Sequence, residues 1–301
     1  MDLESAKAAF IELSRKIHPG ALPGFINWIK DSDEFQVKDE GEVILDNIAE
    51  DLRQIVPFEA ILPSETLFTP VSGVNADCDE VVTLHVDSFL FDDDYIDHLV
   101  ENNKFSRNYC LDCQSRKTKP LTFISHSASK PVINLIFKHC LPNLYSKTLI
   151  DVGSRLGPIL FAGYLYSSAA KIIGIEINKE FCHIQEQVAQ KYGMMDRISI
   201  INDDVLNCSA LLSTGDVIIL HNVFEFFTEA SKLEQMWTFV SQTLRRSGQL
   251  ILTCPSLEES LSSIGMDHIL PAWVEEVKLD FSAMVGETDE FLEDIHLYTV
   301  K

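Results

Sequence analysis

The chain has 301 residues, 46% of them hydrophobic, which is enough for two modest domains or one large decorated one. Its formal net charge of −22 repels nucleic acid phosphates and fits a small-molecule substrate, a basic protein or a basic partner. No apolar run could span a bilayer, the opening residues lack the apolar stretch of a signal peptide, and an odd count of seven cysteines argues against a disulfide framework, so no membrane role and a cytoplasmic or nuclear setting are expected.

In chain order, residues 6–17 predict an amphipathic helix stopped by His18-Pro19-Gly20. Residues 42–55 predict another, with Val43, Ile44, Ile48, Leu52 and Ile55 near helical spacing. Residues 81–86 are rich in β-branched side chains and predict a strand. Asp92, Asp93 and Asp94 offer N-caps for a helix through Tyr95, Ile96 and Leu99. A polar, partly basic stretch around Cys110 to Lys119 follows, and then Ser127 or Ser129 can cap a helix with Pro131 in its first turn.

Beyond it the pattern changes. Strands are expected at residues 148–152, 171–177, 198–201, 216–220, 249–253 and 296–300, and helices at 160–168, 179–192 and 233–244. Such alternation predicts an α/β, doubly wound, Rossmann-like parallel sheet. The expected division is residues 1–120, an N-terminal α+β extension, and 121–301, a cofactor-binding domain. Ligands of such sheets sit beyond the carboxyl ends of the strands, so four loops matter.

The first loop, Asp151-Val152-Gly153-Ser154-Arg155-Leu156-Gly157, has glycines that let backbone turn tightly and approach a ligand. The second places Glu176 at a strand end, where a carboxylate can accept from a ribose diol. The third, Asn202-Asp203-Asp204-Val205, can accept an adenine amine and pack its ring, although an Asp pair after a strand also serves as a helix cap. The fourth runs from His221 through Asn222, Val223, Phe224, Glu225 and Phe226 to Phe227, setting an amide, an acid and aromatics at one mouth.

In this order the four features resemble the class I, seven-strand S-adenosylmethionine-dependent methyltransferases, over residues 146–301. LIDVGSRLG is similar to the family's glycine-rich motif, GIEIN to its acidic strand end, INDDVLN to its adenine loop and VIILHNVFEFF to its motif after the fourth strand. The resemblance implies S-adenosylmethionine as cofactor. It implies that Asp151, Gly153, Ser154 and Gly157 line the methionine part, Glu176 the ribose, and Asp204 with Val205 the adenine. Asn222 would lie nearest the transferred methyl, with Glu225 or Asn222 holding an amine acceptor. The acceptor would be a protein side chain, then RNA, then a small molecule. The spacing also loosely resembles Dot1-like histone lysine methyltransferases.

Two departures open an alternative. Arg155 stands where the family keeps glycine, either facing solvent or touching the cofactor carboxylate, and no Asn-Pro-Pro-Tyr signature follows the fourth strand. A catalytically inactive scaffold with the same fold is the second reading. A nicotinamide enzyme fits less well, because Gly153 and Gly157 do not make G-x-G-x-x-G.

Cys110 and Cys113 have the C-x-x-C spacing with which two thiolates on a turn share a structural zinc ion. Further ligands would come from Cys78, His98 or His126, and the other reading is two reduced thiols in a turn. The neighbouring Arg116, Lys117 and Lys119 form a basic spot that could meet a phosphate or an acidic partner, or form a solvated loop.

Overall fold

In a computed structural model, the structure describes residues 3–18, 20–31, 39–58, 60–68, 82–110, 118–224, 227–279, 281 and 295–301. The chain forms two compact units, Met1–Val43 and Ile44–Lys301, so residue 120 lies inside the second.

In the first unit, helices α1 (Leu3–Ser14) and α2 (Leu22–Asp31) place Phe10 against Phe25 and Phe25 against Trp28, with ring centroids 6.4 and 5.6 Å apart. α1 starts and stops three residues before the expected span, and α2 was not expected. Its Pro23-Gly24 looks like a break, yet proline is tolerated in a helix's first turn, where its missing N–H has no partner to lose. Helix α3 (Glu40–Arg53) matches the expected second helix and buries Leu45, Ile48, Ala49 and Leu52.

Between α3 and the main sheet lie small elements. Strand β1 (Thr83–His85) is followed by α4 (Asp93–Glu101), capped by Asp92, whose side chain accepts from the Tyr95 N–H. β2 (Asn108–Cys110) pairs antiparallel with β3 (Thr118–Pro120), and β4 (Thr122–Ile124) pairs parallel with β1. Ser129 caps α5 (Lys130–Leu135), with Pro131 in the first turn, and the helix continues as a wider π turn over Ile136–Cys140.

The seven-strand Rossmann-like sheet implied by the motifs is present. In chain order its members are β5 (Thr148–Val152), β6 (Lys171–Glu176), β7 (Ile198–Asn202), β8 (Val217–His221), β9 (Leu250–Cys254), β10 (Val274–Glu276) and β11 (His296–Val300). The spatial order is β10-β11-β9-β8-β5-β6-β7. β5 to β9 are parallel and β11 runs antiparallel to both neighbours. The strand order reverses between β5 and β8, and that gap at the carboxyl ends is where such sheets bind ligands.

Helices α6 (Pro158–Tyr166), α7 (Lys179–Lys191), α8 (Ser209–Leu212), α9 (Ala230–Thr243), α10 (Leu257–Ser262) and α11 (Leu270–Trp273) connect and flank the strands. Successive strand side chains point to opposite faces. Leu149, Ile172, Ile219 and Leu252 therefore enter one core, shared with α3, α5, α6 and α7. Ile150, Ile173, Ile218 and Ile251 enter the other, against Met236, Trp237, Leu257 and Trp273. Phe89, Leu90 and Ile96 share the first core with the sheet, so the described chain from Ile44 onward is packed as one body. Among the described residues, no helix is long and apolar enough to cross a membrane.

Candidate functional site

A cavity of about 920 Å³ opens beyond the carboxyl ends of β5, β6, β7 and β8. This lies at the upper end of the range for small-molecule sites, about 300–1,000 Å³. Of the residues expected to bind or act, it brings together Gly153, Glu176, Asp204, Val205 and Asn222, and it adds His126 to their wall. Asp151, Ser154 and Gly157 do not line it. They are buried members of the glycine-rich loop and shape it from within.

That loop is pinned from below. The N–H groups of Gly153 and Ser154 donate to the Ile175 carbonyl at 2.8 and 3.2 Å. Gly153 has φ +72°, and a Cβ there would sit 2.7 Å from Val223 Cγ2 across the cavity wall. Glycine is needed at this point both for the backbone conformation and for the approach of the fourth loop. Gly157, at φ +83°, begins α6. The Ser154 hydroxyl donates to Gln185 Oε1 at 2.9 Å, and Gln185 Nε2 donates to the Arg155 carbonyl at 2.5 Å, so one buried amide from α7 holds both sides of the turn. Asp151 is buried, and burial together with the nearby charge of Glu176 holds its carboxyl well above the usual range.

Glu176 ends β6 and is 6% exposed. Oε2 accepts the Arg155 N–H at 2.9 Å, and Oε1 accepts the Asn178 N–H at 2.7 Å. Burial raises its pKa, while these donors and the Arg155 guanidinium pull the other way. Asn178 then caps α7, accepting from the Glu180 N–H at 2.8 Å. After β7, Asp204 accepts the Leu206 N–H at 2.9 Å as the cap of a single turn, and the half of the aspartate pair that faces Asn207 is Asp203, at 2.8 Å. Val205 stands in the cavity wall beside them.

Asn222 follows β8 with φ +50°, a left-handed conformation that asparagine tolerates better than most residues. Its N–H donates to the Cys254 carbonyl at 2.8 Å, which ties the fourth loop to the neighbouring strand. Phe224 is buried edge-on to Trp237, with centroids 5.3 Å apart, and lines the cavity together with Phe227. Burial pushes the His221 imidazole down to about 4, leaving it neutral near pH 7. Glu225 lies outside the described residues.

Arg155 neither faces solvent nor stands alone. Its guanidinium is buried, with Nη2 donating to the Ala60 carbonyl at 2.7 Å and pairing with Glu65 at 3.3 Å, and with Nη1 pairing with Asp87 at 3.3 Å. The same group lies over the Phe181 ring at 5.1 Å and near Phe227 at 5.9 Å. Asp87 also accepts from Ser127 Oγ at 2.5 Å and from the N–H groups of Phe89 and Leu90. Burial raises the pKa of both carboxyls against the pull of the guanidinium. Sequence reasoning missed Glu65, Asp87 and Gln185, because nothing local marks a partner 31 to 90 residues away.

His126 lies against His85, with Nε2 2.7 Å from His85 Nδ1 and the rings 4.8 Å apart, and its edge meets Phe227 at 4.7 Å. Burial, and then the charge of Arg155, pushes His126 down to about 2. Cys113 and Cys78 lie outside the described residues, as does the side chain of Cys110, which ends β2. Among the described residues, no group of three or more His, Cys, Asp or Glu side chains is arranged to hold a metal ion. Cys140, Cys182, Cys208 and Cys254 are not joined in disulfides.

No protein-family model matches the sequence, and no curated protein matches it. Among solved structures, the chain is similar to an RNA methyltransferase from Salinibacter ruber in complex with S-adenosyl-L-homocysteine. That match has 18% identity and a TM-score of 0.38, and covers 57% of this chain and 90% of that one. Precorrin-6y C5,15-methyltransferase from Geobacter metallireducens is similar at 12% identity and a TM-score of 0.41, covering 58% and 90%. Precorrin 8W decarboxylase from Methanobacterium thermoautotrophicum is similar at 15% identity and a TM-score of 0.40, covering 57% and 91%.

Proposed function

We propose that this protein is an S-adenosylmethionine-dependent methyltransferase acting on a protein side chain, with RNA as the second candidate acceptor. The observation that carries the reading is the convergence of Gly153, Glu176, Asp204, Val205 and Asn222 on one cavity at the reversal of strand order. These residues fit the cofactor. Glu176 would accept the ribose hydroxyls, Val205 would pack the adenine, and the tight backbone at Gly153 would admit the amino-acid end.

The cofactor supplies an activated methyl group on a sulfonium, so the protein's task is chiefly alignment and exclusion of water. Asn222, held in place by its N–H bond to Cys254, would orient the acceptor. Neutral His126 and Phe227 would wall the acceptor side without adding positive charge. The acidic balance of the chain favours a basic acceptor protein over naked RNA, unless a basic partner supplies the phosphate contacts. That substrate range fits a cytoplasmic or nuclear setting.

The test is calorimetry with S-adenosylhomocysteine, followed by transfer of labelled methyl to basic proteins and to RNA. Binding followed by labelling of protein supports the reading, and labelling of RNA moves the acceptor to the second candidate. Binding with no transfer to either leaves the inactive-scaffold alternative. No binding at millimolar cofactor refutes the cofactor assignment itself.

A further inference from the structure

Residues 60–68 cross the rim of the cavity, and Ser64, Glu65, Thr66 and Phe68 all line it. The segment has two differently held ends. Ala60 and Leu62 are buried in the core, so its start is fixed by packing. Beyond Leu62, Pro63, Ser64 and Thr66 are exposed. This part is tied down by polar side chains: the Ser64 hydroxyl donates to Glu180 at 2.9 Å and accepts from Asn178 Nδ2 at 2.9 Å, and Glu65 meets Arg155 at 3.3 Å. Glu65 also accepts the Leu62 N–H at 2.7 Å, which folds the segment into a turn that aims its carboxylate at the guanidinium.

The tethers to the rest of the chain end on Asn178 of the second loop, on the first turn of α7 and on the glycine-rich loop. Asn178 and Glu180 flank the start of α7, next to Glu176, and Arg155 gives its own N–H to Glu176. The residue that distorts the glycine pattern therefore joins three parts. Its backbone orients the strand-end acid, its carbonyl is held by Gln185, and its guanidinium holds the crossing segment.

We propose that residues 60–68 form a strap that completes the nucleoside end of the cavity, and that Arg155, acting through Glu65, is the positioning residue that holds it there. The proposal rests on the cofactor reading. The strap brings hydroxyls of Ser64 and Thr66 and the ring of Phe68 to a ligand whose other side is met by Glu176 and Val205. A ligand in this cavity is covered by the strap on its nucleoside side, so parting of the tethers should ease its departure.

Hydrogen exchange of the full chain, with and without S-adenosylhomocysteine, tests this on the wild type, Glu65→Gln and Arg155→Met. Arg155→Met leaves two buried carboxylates without their cation and is the variant at risk of unfolding. Glu65→Gln keeps the Arg155–Asp87 pair and carries the test if Arg155→Met does not fold. Saturating ligand should slow exchange in residues 60–68 of the wild type by about 10-fold or more. Glu65→Gln should speed ligand-free exchange there, leave β6 and β8 unchanged, and raise the ligand's dissociation rate by roughly 10-fold. A purely structural role would instead raise exchange across the sheet.

Ligand binding with no change of exchange in residues 60–68 overturns the proposal while sparing the cofactor reading. So does a Glu65→Gln variant with wild-type strap exchange and dissociation. A wild type that does not bind S-adenosylhomocysteine refutes the cofactor reading and the strap's ligand role with it, and the ligand-free comparison still decides whether Glu65 is the tether.

Discussion

Replacing Glu176 by glutamine tests the ribose assignment with almost no change of shape. Each carboxylate oxygen accepts one backbone N–H, from Arg155 at 2.9 Å and from Asn178 at 2.7 Å. An ionised carboxylate has about four lone-pair sites. One site on each oxygen therefore remains for a vicinal diol, which is the pattern a ribose presents. Glutamine keeps one oxygen, turns its amide nitrogen against one of the two backbone donors and removes the charge. Losing one bond to the diol outright, and the charge assistance of the other, should cost about 2–4 kcal/mol of binding. At about 1.4 kcal/mol per tenfold, the affinity falls by roughly 30- to 1,000-fold. The backbone N–H left facing the amide should cost a further ~1–3 kcal/mol of folding. Calorimetric titration reads the first effect and thermal melting the second. Adenosine, which lacks the amino-acid tail, should lose the same factor as S-adenosylhomocysteine, because the lesion is at the ribose. If a folded Glu176→Gln protein binds both within about threefold of wild type, well under 1 kcal/mol, the ribose is elsewhere. If only S-adenosylhomocysteine weakens, Glu176 serves the amino-acid end instead.

Asn222→Gly keeps the φ of +50° available and deletes the amide, so turnover should fall about 100-fold with cofactor affinity nearly unchanged. A loss confined to affinity would remove Asn222 from the methyl-transfer position. Gly153→Ala puts a methyl 2.7 Å from Val223 Cγ2 at a φ of +72°, and should cost at least ~1–2 kcal/mol of stability and most cofactor binding. Wild-type melting and binding would show that the loop has room the distances deny. Asp151, held well above the ordinary aspartate value by burial and by Glu176, binds more protons folded than unfolded between its unfolded and folded pKa values. Stability therefore falls as pH rises through that window, by up to ~1.4 kcal/mol per unit. Asp151→Asn should flatten the fall in melting temperature above pH 4, and a curve parallel to the wild type would refute the assignment. The Cys110–Cys113 spacing predicts zinc in the purified protein, released by chelator, and a folded, metal-free protein retires that idea.

The sheet was legible because its information is local. Runs such as Thr148 to Val152 and Lys171 to Glu176 are apolar on both faces, as strands covered by helices on both sides must be, and they fall where periodicity placed them. Caps were legible for the same reason: Asp92 and Ser129 each hold an N–H three residues on. Short elements escaped, among them α2, β2 to β4, α8, α11, β10 and α10. β10 has three residues and too little pattern to stand out, while α10 is announced by a capping box, Ser256 with Glu259, that was passed over. At the site, Glu176 and Asn222 could be picked out from their positions at strand ends. Glu65 and Asp87 could not, because an ion pair closed across tens of residues leaves no mark at either end of the sequence.

Arg155 shows what that hidden layer does to the chemistry. A cation in the glycine-rich loop would oppose a sulfonium ligand if its charge were left exposed to the cavity. Instead the guanidinium meets two carboxylates, one carbonyl and the face of Phe181. Two acids against one base leave the cluster, when ionised, with a negative balance, and Glu176 adds another acid on the loop's other side. The departure from glycine thus brings its own compensation, carried by Glu65, Asp87 and the Ala60 carbonyl rather than by the loop. That is why the arginine gives little support to an inactive scaffold: it does not block the site with an unbalanced charge, and its removal would strand Glu65 and Asp87 in the core. The segment before the sheet and the glycine-rich loop form one electrostatic unit, and neither can be altered without the other.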